Sequence, residues 1–214
     1  MSITKILIVE GYDDLSFISA IMKNRIKGWI VKPEHKNSSK DKFLVQINIC
    51  DDEGATGGKA QITYENTLRI SKGGYTHVGI VLDADQDFQA ANGKAINIIN
   101  RMKQNYPGVN LSSWIMPTNK DVGMIEDFAL TLVSPSQLLS FADSTSLTAQ
   151  KQPHNAPYKN IHTSKAKLRT WLAWQDEPGI RMGNAAIKGI IDTKSANANA
   201  FVDWFSTFFE VEKV

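Results

Sequence analysis

The sequence predicts an α/β protein in which a mainly parallel, four-stranded sheet is flanked by helices and followed by a helical C-terminal extension. Short apolar runs alternate with helical segments up to residue 117, and no strand pattern follows residue 120. The chain has 214 residues, 42% of them hydrophobic and 21% charged, which is enough to bury a sizeable core and excludes a disordered or collagen-like chain. Its single cysteine excludes a disulfide scaffold.

The first third of the chain contains the patterns of two strands and two helices. The run KILIV before Glu10 and Gly11 is apolar throughout, which is typical of a strand buried on both faces of a parallel sheet. Leu15, Ile18 and Met22 then recur at helical spacing. We expect a strand at 5–11, a helix at 13–24, a polar loop at 32–42, a strand at 43–50, an acidic, glycine-rich turn at 51–58 and a helix at 60–71.

The middle of the chain repeats the alternation of strand and helix. The apolar run VGIVL predicts a third buried strand that ends at Asp83. A helix is expected over 88–105, where a Tyr-Pro-Gly sequence stops it. A fourth strand at 111–117 ends in proline. Three strand-to-helix repeats of this kind predict parallel strands joined by crossover helices.

Helical patterns dominate after residue 120. The expected helices lie at 123–132, 135–142, 163–175, 184–192 and 198–209, and a polar loop is expected at 143–162. The last helix carries an aromatic stripe that predicts burial: Phe201, Trp204, Phe205, Phe208 and Phe209. Core positions are also expected for the tryptophans at 114, 171 and 174. We therefore expect an α/β core over 1–130 and a helical extension over 131–214 that packs on it as one compact unit.

Acidic residues follow two of the predicted strands at the point where each strand ends. Glu10 ends the first strand and Asp83 the third, and ligands of parallel α/β sheets bind beyond these carboxyl ends. Asp85 and Asp87 continue the pattern as D-A-D-Q-D, which in an extended chain directs three carboxylates to one side. Such a cluster favours a hard divalent ion such as Mg²⁺. In the alternative interpretation, Asp85 or Asp87 only caps the next helix.

Two segments resemble the motifs of the toprim family. ILIVEGYDD is similar to the first motif, a strand ending in Glu-Gly, and GIVLDADQD to the second, a strand ending in Asp-x-Asp. The resemblance covers residues 1–130 and implies a toprim-like, Rossmann-like fold. The later segments WIMPTNKDVGMIEDFAL and HTSKAKLRTWLAWQDEPGIRMG resemble a small stand-alone family of bacterial toprim-like proteins. That family is similar to the toprim part of the nucleases named for the overcoming-lysogenisation defect (OLD).

The resemblance implies roles for the acids of the two motifs. Glu10 corresponds to the toprim glutamate, a general acid/base or a metal ligand. Asp83 and Asp85 correspond to the Asp-x-Asp pair that holds Mg²⁺, with Mn²⁺ as an alternative ion, and both are expected in the catalytic centre. Asp87 extends the pattern as an outer metal ligand.

The resemblance to OLD-type nucleases implies roles for residues beyond the sheet. Glu126 matches a glutamate that contributes to a second metal, and Asp127 lies beside it; in the alternative interpretation an acid here only complements the helix dipole. Lys165 matches a catalytic lysine that stabilises the charged transition state. Its spacing from the apolar stripe of helix 163–175 directs it towards the core domain. Lys167 and Arg169 are weaker candidates for contacts with the substrate phosphate.

The expected activity is Mg²⁺-dependent phosphodiester or nucleotidyl chemistry on nucleic acid, as nuclease-type cleavage or nicking. A non-cleaving toprim-like module that binds nucleotides or nucleic acid is the main alternative. A receiver-like phosphoacceptor domain using Asp51 or Asp52, and a haloacid-dehalogenase-like phosphatase, fit the strand positions of the acids less well. DNA or RNA as the substrate, one or two metals, and the oligomeric state all stay open at this point.

Partners and location follow from what the sequence lacks. No GxxxxGK[ST] motif is present, so an ATPase that accompanies OLD-type nucleases would have to be a separately encoded partner. No apolar stretch reaches the length of a signal-peptide core or a membrane span. We therefore expect a cytoplasmic protein with nucleic acid as its partner and no membrane association.

Overall fold

The computed structural model describes residues 5–29, 44–50, 62–71, 74–152 and 157–214. The strands are β1 (Lys5–Val9), β2 (Gln46–Ile49), β3 (His77–Asp83) and β4 (Asn110–Met116). The helices are α1 (Tyr12–Arg25), α2 (Tyr64–Ser71), α3 (Phe88–Asn105), α4 (Ile125–Thr131), α5 (Gln137–Lys151), α6 (Thr163–Ala173), α7 (Met182–Ile187) and α8 (Asn199–Phe209). Short 3₁₀ turns occupy Asn160–His162 and Ala196–Ala198. The predicted polar loop at 32–42 and the acidic turn at 51–58, with Asp51 and Asp52, lie outside the described residues.

The four strands form one parallel sheet in the order β2-β1-β3-β4. The two central strands are the apolar runs KILIV and HVGIVLD, in agreement with their burial on both faces. Because β1 and β3 are hydrogen-bonded neighbours, Glu10 and Asp83 leave the sheet side by side at the same edge. The predicted α/β fold, with its parallel four-stranded sheet, flanking helices and C-terminal helices, is confirmed.

Alternating side chains of the central strands belong to two apolar layers that lie on opposite faces of the sheet. Leu7 and Val9 pack with α1 and with the C-terminal helices, whereas Ile6 and Ile8 pack against α3. The period of two along a strand is the cause of this division. The helices after residue 120 therefore cover one face of the sheet.

The aromatic stripe of α8 packs directly on the sheet. Phe201, Phe205 and Phe209 are fully buried, and Trp204 and Phe208 are partly buried beside them, so the predicted core role is confirmed. Gly79 in β3 permits this contact: a Cβ there would lie 2.8 Å from Cζ of Phe209.

The expected core position of Trp174 is wrong. α6 ends at Ala173, and Trp174 caps it at the surface with 39% of its area exposed. Its ring stacks on the exposed ring of Phe141, with centroids 5.3 Å apart.

The loop expected at 143–162 is wrong over its first part, because α5 continues to Lys151. Ser and Thr side chains weaken a helix by competing for its backbone, which explains why the sequence pattern favoured a loop. Packing against α6 outweighs that preference: Ala142 and Ser146 are buried, and the Ser146 hydroxyl is hydrogen-bonded to Thr170. The Tyr158 hydroxyl also donates to the Ser146 carbonyl at 2.7 Å.

α7 packs closely on α1, and Gly183 allows the two helices to approach each other because it has no side chain. A Cβ on Gly183 would lie 2.9 Å from the carbonyl carbon of Ser16, a backbone atom that cannot rotate away. The start of α7 is therefore held against the helix that follows Glu10. No helix of the described residues has the length and apolar character needed to cross a membrane.

We expect Gly183→Ala to destabilise the protein by about 1–3 kcal/mol, because the added methyl group must push α7 away from α1. Gly93→Ala is the matched control, since Gly93 lies on the exposed face of α3 with open space where an added Cβ would lie. That substitution should stabilise the protein by up to about 1 kcal/mol through helix propensity. Urea unfolding of both variants measures the difference, and equal stabilities would contradict the close contact.

Candidate active site

A pocket of about 750 Å³ opens at the carboxyl edge of the sheet, beyond the ends of β1 and β3. The β1–α1 turn, the end of β3, the start of α4, one face of α6 and the segment before α7 surround it. Its acidic lining residues are Glu10, Asp13, Asp14, Asp83 and Glu126. Its basic lining residues are Lys165, Arg169 and Arg181. The structure thus brings together side chains that are far apart in the sequence.

Asp83 occupies the most strongly perturbed position of this pocket. Burial, together with the nearby carboxylates of Asp14, Glu10 and Glu126, raises its pKa to about 8. The backbone N–H of Ile125 donates to Oδ1 of Asp83 at 2.9 Å and opposes the rise. This bond also ties the end of β3 to the start of α4.

Asp14 belongs to the site as well, although the sequence did not suggest it as a site residue. Its Oδ2 accepts a hydrogen bond of 2.8 Å from the N–H of Gly11, the residue at the N-cap of α1. Burial nevertheless raises its pKa to about 6, and the charges of Glu126 and Asp13 act in the same direction. The available signal was its place in the first turn of the helix, where the chain is still close to the end of β1.

Glu126 and Lys165 form an ion pair inside the pocket. The Lys165 Nζ lies 3.0 Å from Oε1 of Glu126, and the glutamate side chain is only 8% exposed. The second carboxylate oxygen, Oε2, is buried and accepts no hydrogen bond from the residues that the structure describes. The predicted orientation of Lys165 towards the core domain is confirmed.

Asp127 does not line the pocket. Its Oδ2 accepts a 2.7 Å hydrogen bond from the N–H of Met124, and its Oδ1 accepts one from the hydroxyl of Ser164. Because Asp127 adjoins Glu126 and Ser164 adjoins Lys165, these bonds fix the two partners of the ion pair relative to each other. The structure gives Asp127 a positioning role in place of the expected metal contact.

The structure also leaves Asp85 and Asp87 outside the pocket lining. The expectation that alternate carboxylates of D-A-D-Q-D share one side fails, because β3 ends at Asp83 and Asp85 adopts a left-handed backbone with φ of 51°. The exposed Asp85 exchanges two backbone hydrogen bonds of 2.8 Å with Gly123. Asp87 caps α3 by accepting from the N–H of Ala90 at 2.9 Å, which was the alternative interpretation.

The two weaker phosphate candidates separate. Arg169 lines the pocket, with its guanidinium 3.8 Å from the carboxylate of Asp13. Lys167 points to α5, where its ammonium lies 3.3 Å from Asp143. Arg181 also lines the pocket, and the sequence did not suggest it as a site residue.

A family model described as a protein of unknown function, DUF3226, matches residues 4–210. The chain belongs to the DUF3226 family. No curated protein and no solved structure matches it. The DUF3226 match includes every lining residue of the pocket, from Glu10 to Met182.

The side chains present fit a divalent cation. Among the described residues, no three Asp, Glu, His or Cys side chains form a ready-made chelate. Mg²⁺, however, keeps several waters and binds through only one or two carboxylates. The buried Oε2 of Glu126 accepts no hydrogen bond within the described ranges, and the carboxylates of Glu10, Asp14 and Asp83 repel one another. Both features leave negative charge that a cation would neutralise. Glu10, Asp83 and Glu126, with Asp14, are the residues that would hold it.

The raised pKa of Asp83 predicts how stability depends on pH without metal. The folded carboxyl, with a pKa of about 8, binds its proton more tightly than the unfolded one, whose value is 3.8. The free energy of unfolding therefore falls as pH rises between these values, by at most about 1.4 kcal/mol per pH unit for one group. Asp83→Asn should remove this contribution and stabilise the protein at the upper end of the window. Urea unfolding in a chelator, at several pH values, measures it; parallel curves for both proteins would contradict the burial of Asp83.

Proposed function

We propose that this protein carries out divalent-metal-dependent phosphodiester or nucleotidyl chemistry on nucleic acid, most directly as a nuclease that cleaves or nicks a strand. The observation that carries the proposal is the convergence of Glu10, Asp83 and Glu126, from three separate elements, on one pocket that also contains Lys165. Carboxylates are the ligands of hard cations, and phosphate oxygens are the usual further ligands of a protein-bound Mg²⁺.

Each side chain has a chemical task in this proposal. Glu10, Asp83 and Glu126, with Asp14, would hold the cation, and Glu10 can also exchange a proton with the attacking or leaving oxygen. Glu126 orients the ammonium of Lys165 towards the phosphate, where positive charge stabilises the transition state. When bound, the divalent ion would neutralise charge on the phosphate and on the oxygens that attack and leave.

The toprim resemblance is part of the same proposal. A glutamate after one strand and an aspartate after another are expected from that family, and here the two strands are neighbours in a parallel sheet. Nucleic acid is the proposed substrate, with a separately encoded ATPase as a further partner, and the cytoplasm is the proposed location, where Mg²⁺ and nucleic acid are both present.

A non-cleaving module that binds nucleotides or nucleic acid is the second candidate. One observation favours it: within the described ranges, the acids do not form a preassembled three-ligand metal site. Such a protein would bind Mg²⁺ and nucleic acid at the same pocket without breaking a phosphodiester bond.

We expect the protein to nick plasmid DNA or cleave oligonucleotides of DNA or RNA when Mg²⁺ or Mn²⁺ is present. Glu10→Gln and Asp83→Asn should each lower the rate on the order of hundredfold or more, because the amides keep the shape of the side chains and lose their charge. Asp203→Asn is the matched control, since Asp203 is exposed on α8 and pairs with Lys213. Cleavage that survives both pocket substitutions would refute the assignment, and Mg²⁺ binding without cleavage would favour the second candidate.

Binding of Mg²⁺ itself separates the two acids of the Asp-x-Asp sequence. Asp83→Asn should weaken the affinity for Mg²⁺, measured by calorimetry, about tenfold or more, because it removes a charged ligand. Asp85→Asn should change it by less than about threefold, since asparagine also tolerates the left-handed backbone at this position. Equal losses of Mg²⁺ affinity in the two variants would show that Asp85 is a metal ligand after all.

A further inference from the structure

The basic side chains of the pocket differ in what they contact. Lys165 is paired with Glu126, and the guanidinium of Arg169 lies 3.8 Å from Asp13. Arg181 instead lies over an aromatic ring, with its Cζ 5.6 Å from the centroid of Tyr12. In the part of the chain that the structure describes, no carboxylate lies within ion-pair distance of this guanidinium. Arg181 is exposed, so its donors can reach a ligand that enters the pocket.

The backbone that carries Arg181 is firmly held. The side chains on either side of it, Ile180 and Met182, are buried, with 4% and 6% of their areas exposed. The close contact of Gly183 with the backbone of Ser16 then sets this segment against α1. Tyr12 begins that same helix, two residues after Glu10. Arg181 therefore has a defined position relative to the carboxylates.

The negative charge of the pocket explains why a strand of nucleic acid would need an additional basic contact such as Arg181. Five acidic side chains line the cavity, and their negative charge repels a polyanionic strand except near a bound cation or a basic side chain. A phosphate held by the carboxylate-bound cation would be only one of several on the strand. A planar guanidinium offers paired donors to a phosphate and stacks on an aromatic ring, and both properties suit a contact with a neighbouring phosphate.

We infer that Arg181, supported by the ring of Tyr12, binds a phosphate of the nucleic-acid strand next to the one at the carboxylates. With this second contact, the pocket binds a strand with consecutive phosphates more tightly than a small phosphodiester with one phosphate. This inference rests on the proposed function, because it takes nucleic acid as the substrate, and it adds a residue that neither the sequence patterns nor the family resemblance assigned.

The test measures binding of a short fluorescein-labelled, single-stranded oligonucleotide by anisotropy in Ca²⁺, over a range of salt concentrations. Arg181→Ala should weaken binding about tenfold and lower the slope of log affinity against log salt by about one. Arg181→Lys should recover part of the affinity, because it keeps the charge and loses the planar donors. Tyr12→Leu should weaken binding by about twofold to fivefold through loss of the cation–π contact.

Arg101→Ala is the matched control. Arg101 also lies over a tyrosine, 3.8 Å from the centroid of Tyr64, but it pairs with Glu65 and lies outside the pocket. The Arg101→Ala variant should bind the oligonucleotide with the same affinity as the wild type. Equal binding by Arg181→Ala and the wild type, or an equal loss in Arg101→Ala, would overturn the inference.

A second measurement distinguishes failure of this inference from failure of the proposed function. On an oligonucleotide, Arg181→Ala should lower kcat/KM about tenfold, whereas on bis(p-nitrophenyl) phosphate, which has a single phosphate, the loss of kcat/KM should be several-fold smaller. Equal losses on both substrates would overturn the neighbouring-phosphate role and leave the proposed chemistry intact. Oligonucleotide binding that depends on Arg181 in a protein without cleavage would support the inference and favour the non-cleaving module.

Discussion

The repulsion between carboxylates at one edge of the sheet is the constraint on which the rest of the site depends. Glu10 and Asp83 must be neighbours because their strands are hydrogen-bonded to each other, and α1 and α4 add Asp14 and Glu126 to the same cavity. Burial of these carboxyl groups and the proximity of like charges both cost free energy, and the two effects, burial first, raise the pKa values of Asp83 and Asp14. One ammonium, from Lys165, offsets part of that charge. A site of this kind is suited to a divalent cation and a phosphate.

The surrounding structure holds this arrangement in place by contacts outside the pocket. The hydrogen bonds of Asp127 to Met124 and Ser164 connect α4 with α6, and they thereby connect Glu126 with Lys165. The paired backbone bonds between Asp85 and Gly123 connect the end of β3 with the segment before α4. Acids that appear in the sequence to be candidate ligands therefore act in this structure as supports for those that line the pocket.

Most of the architecture could be predicted because it depends on local patterns. Continuous apolar runs mark the buried central strands, and the stripe of Phe201, Phe205 and Phe209 marks the face of α8 that packs on the sheet. The prediction was wrong where tertiary contacts outweigh local preference. The polar second half of α5 is helical because it packs on α6, and Trp174 is exposed because α6 ends one residue before it. The spacing of apolar residues within one segment predicts neither the helix that packs against it nor the residue at which it ends at the surface.

The candidate site divides in the same way. By itself, the sequence determined that Glu10 and Asp83 follow buried parallel strands, and the topology of parallel sheets requires their side chains to emerge at one edge. Only the tertiary structure decided which other residues reach that edge. It excluded Asp85, because a left-handed residue breaks the alternation of an extended strand. It included Asp14 and Arg181, because the direction of α1 and the close packing of α7 on it are set by contacts between residues far apart in the chain.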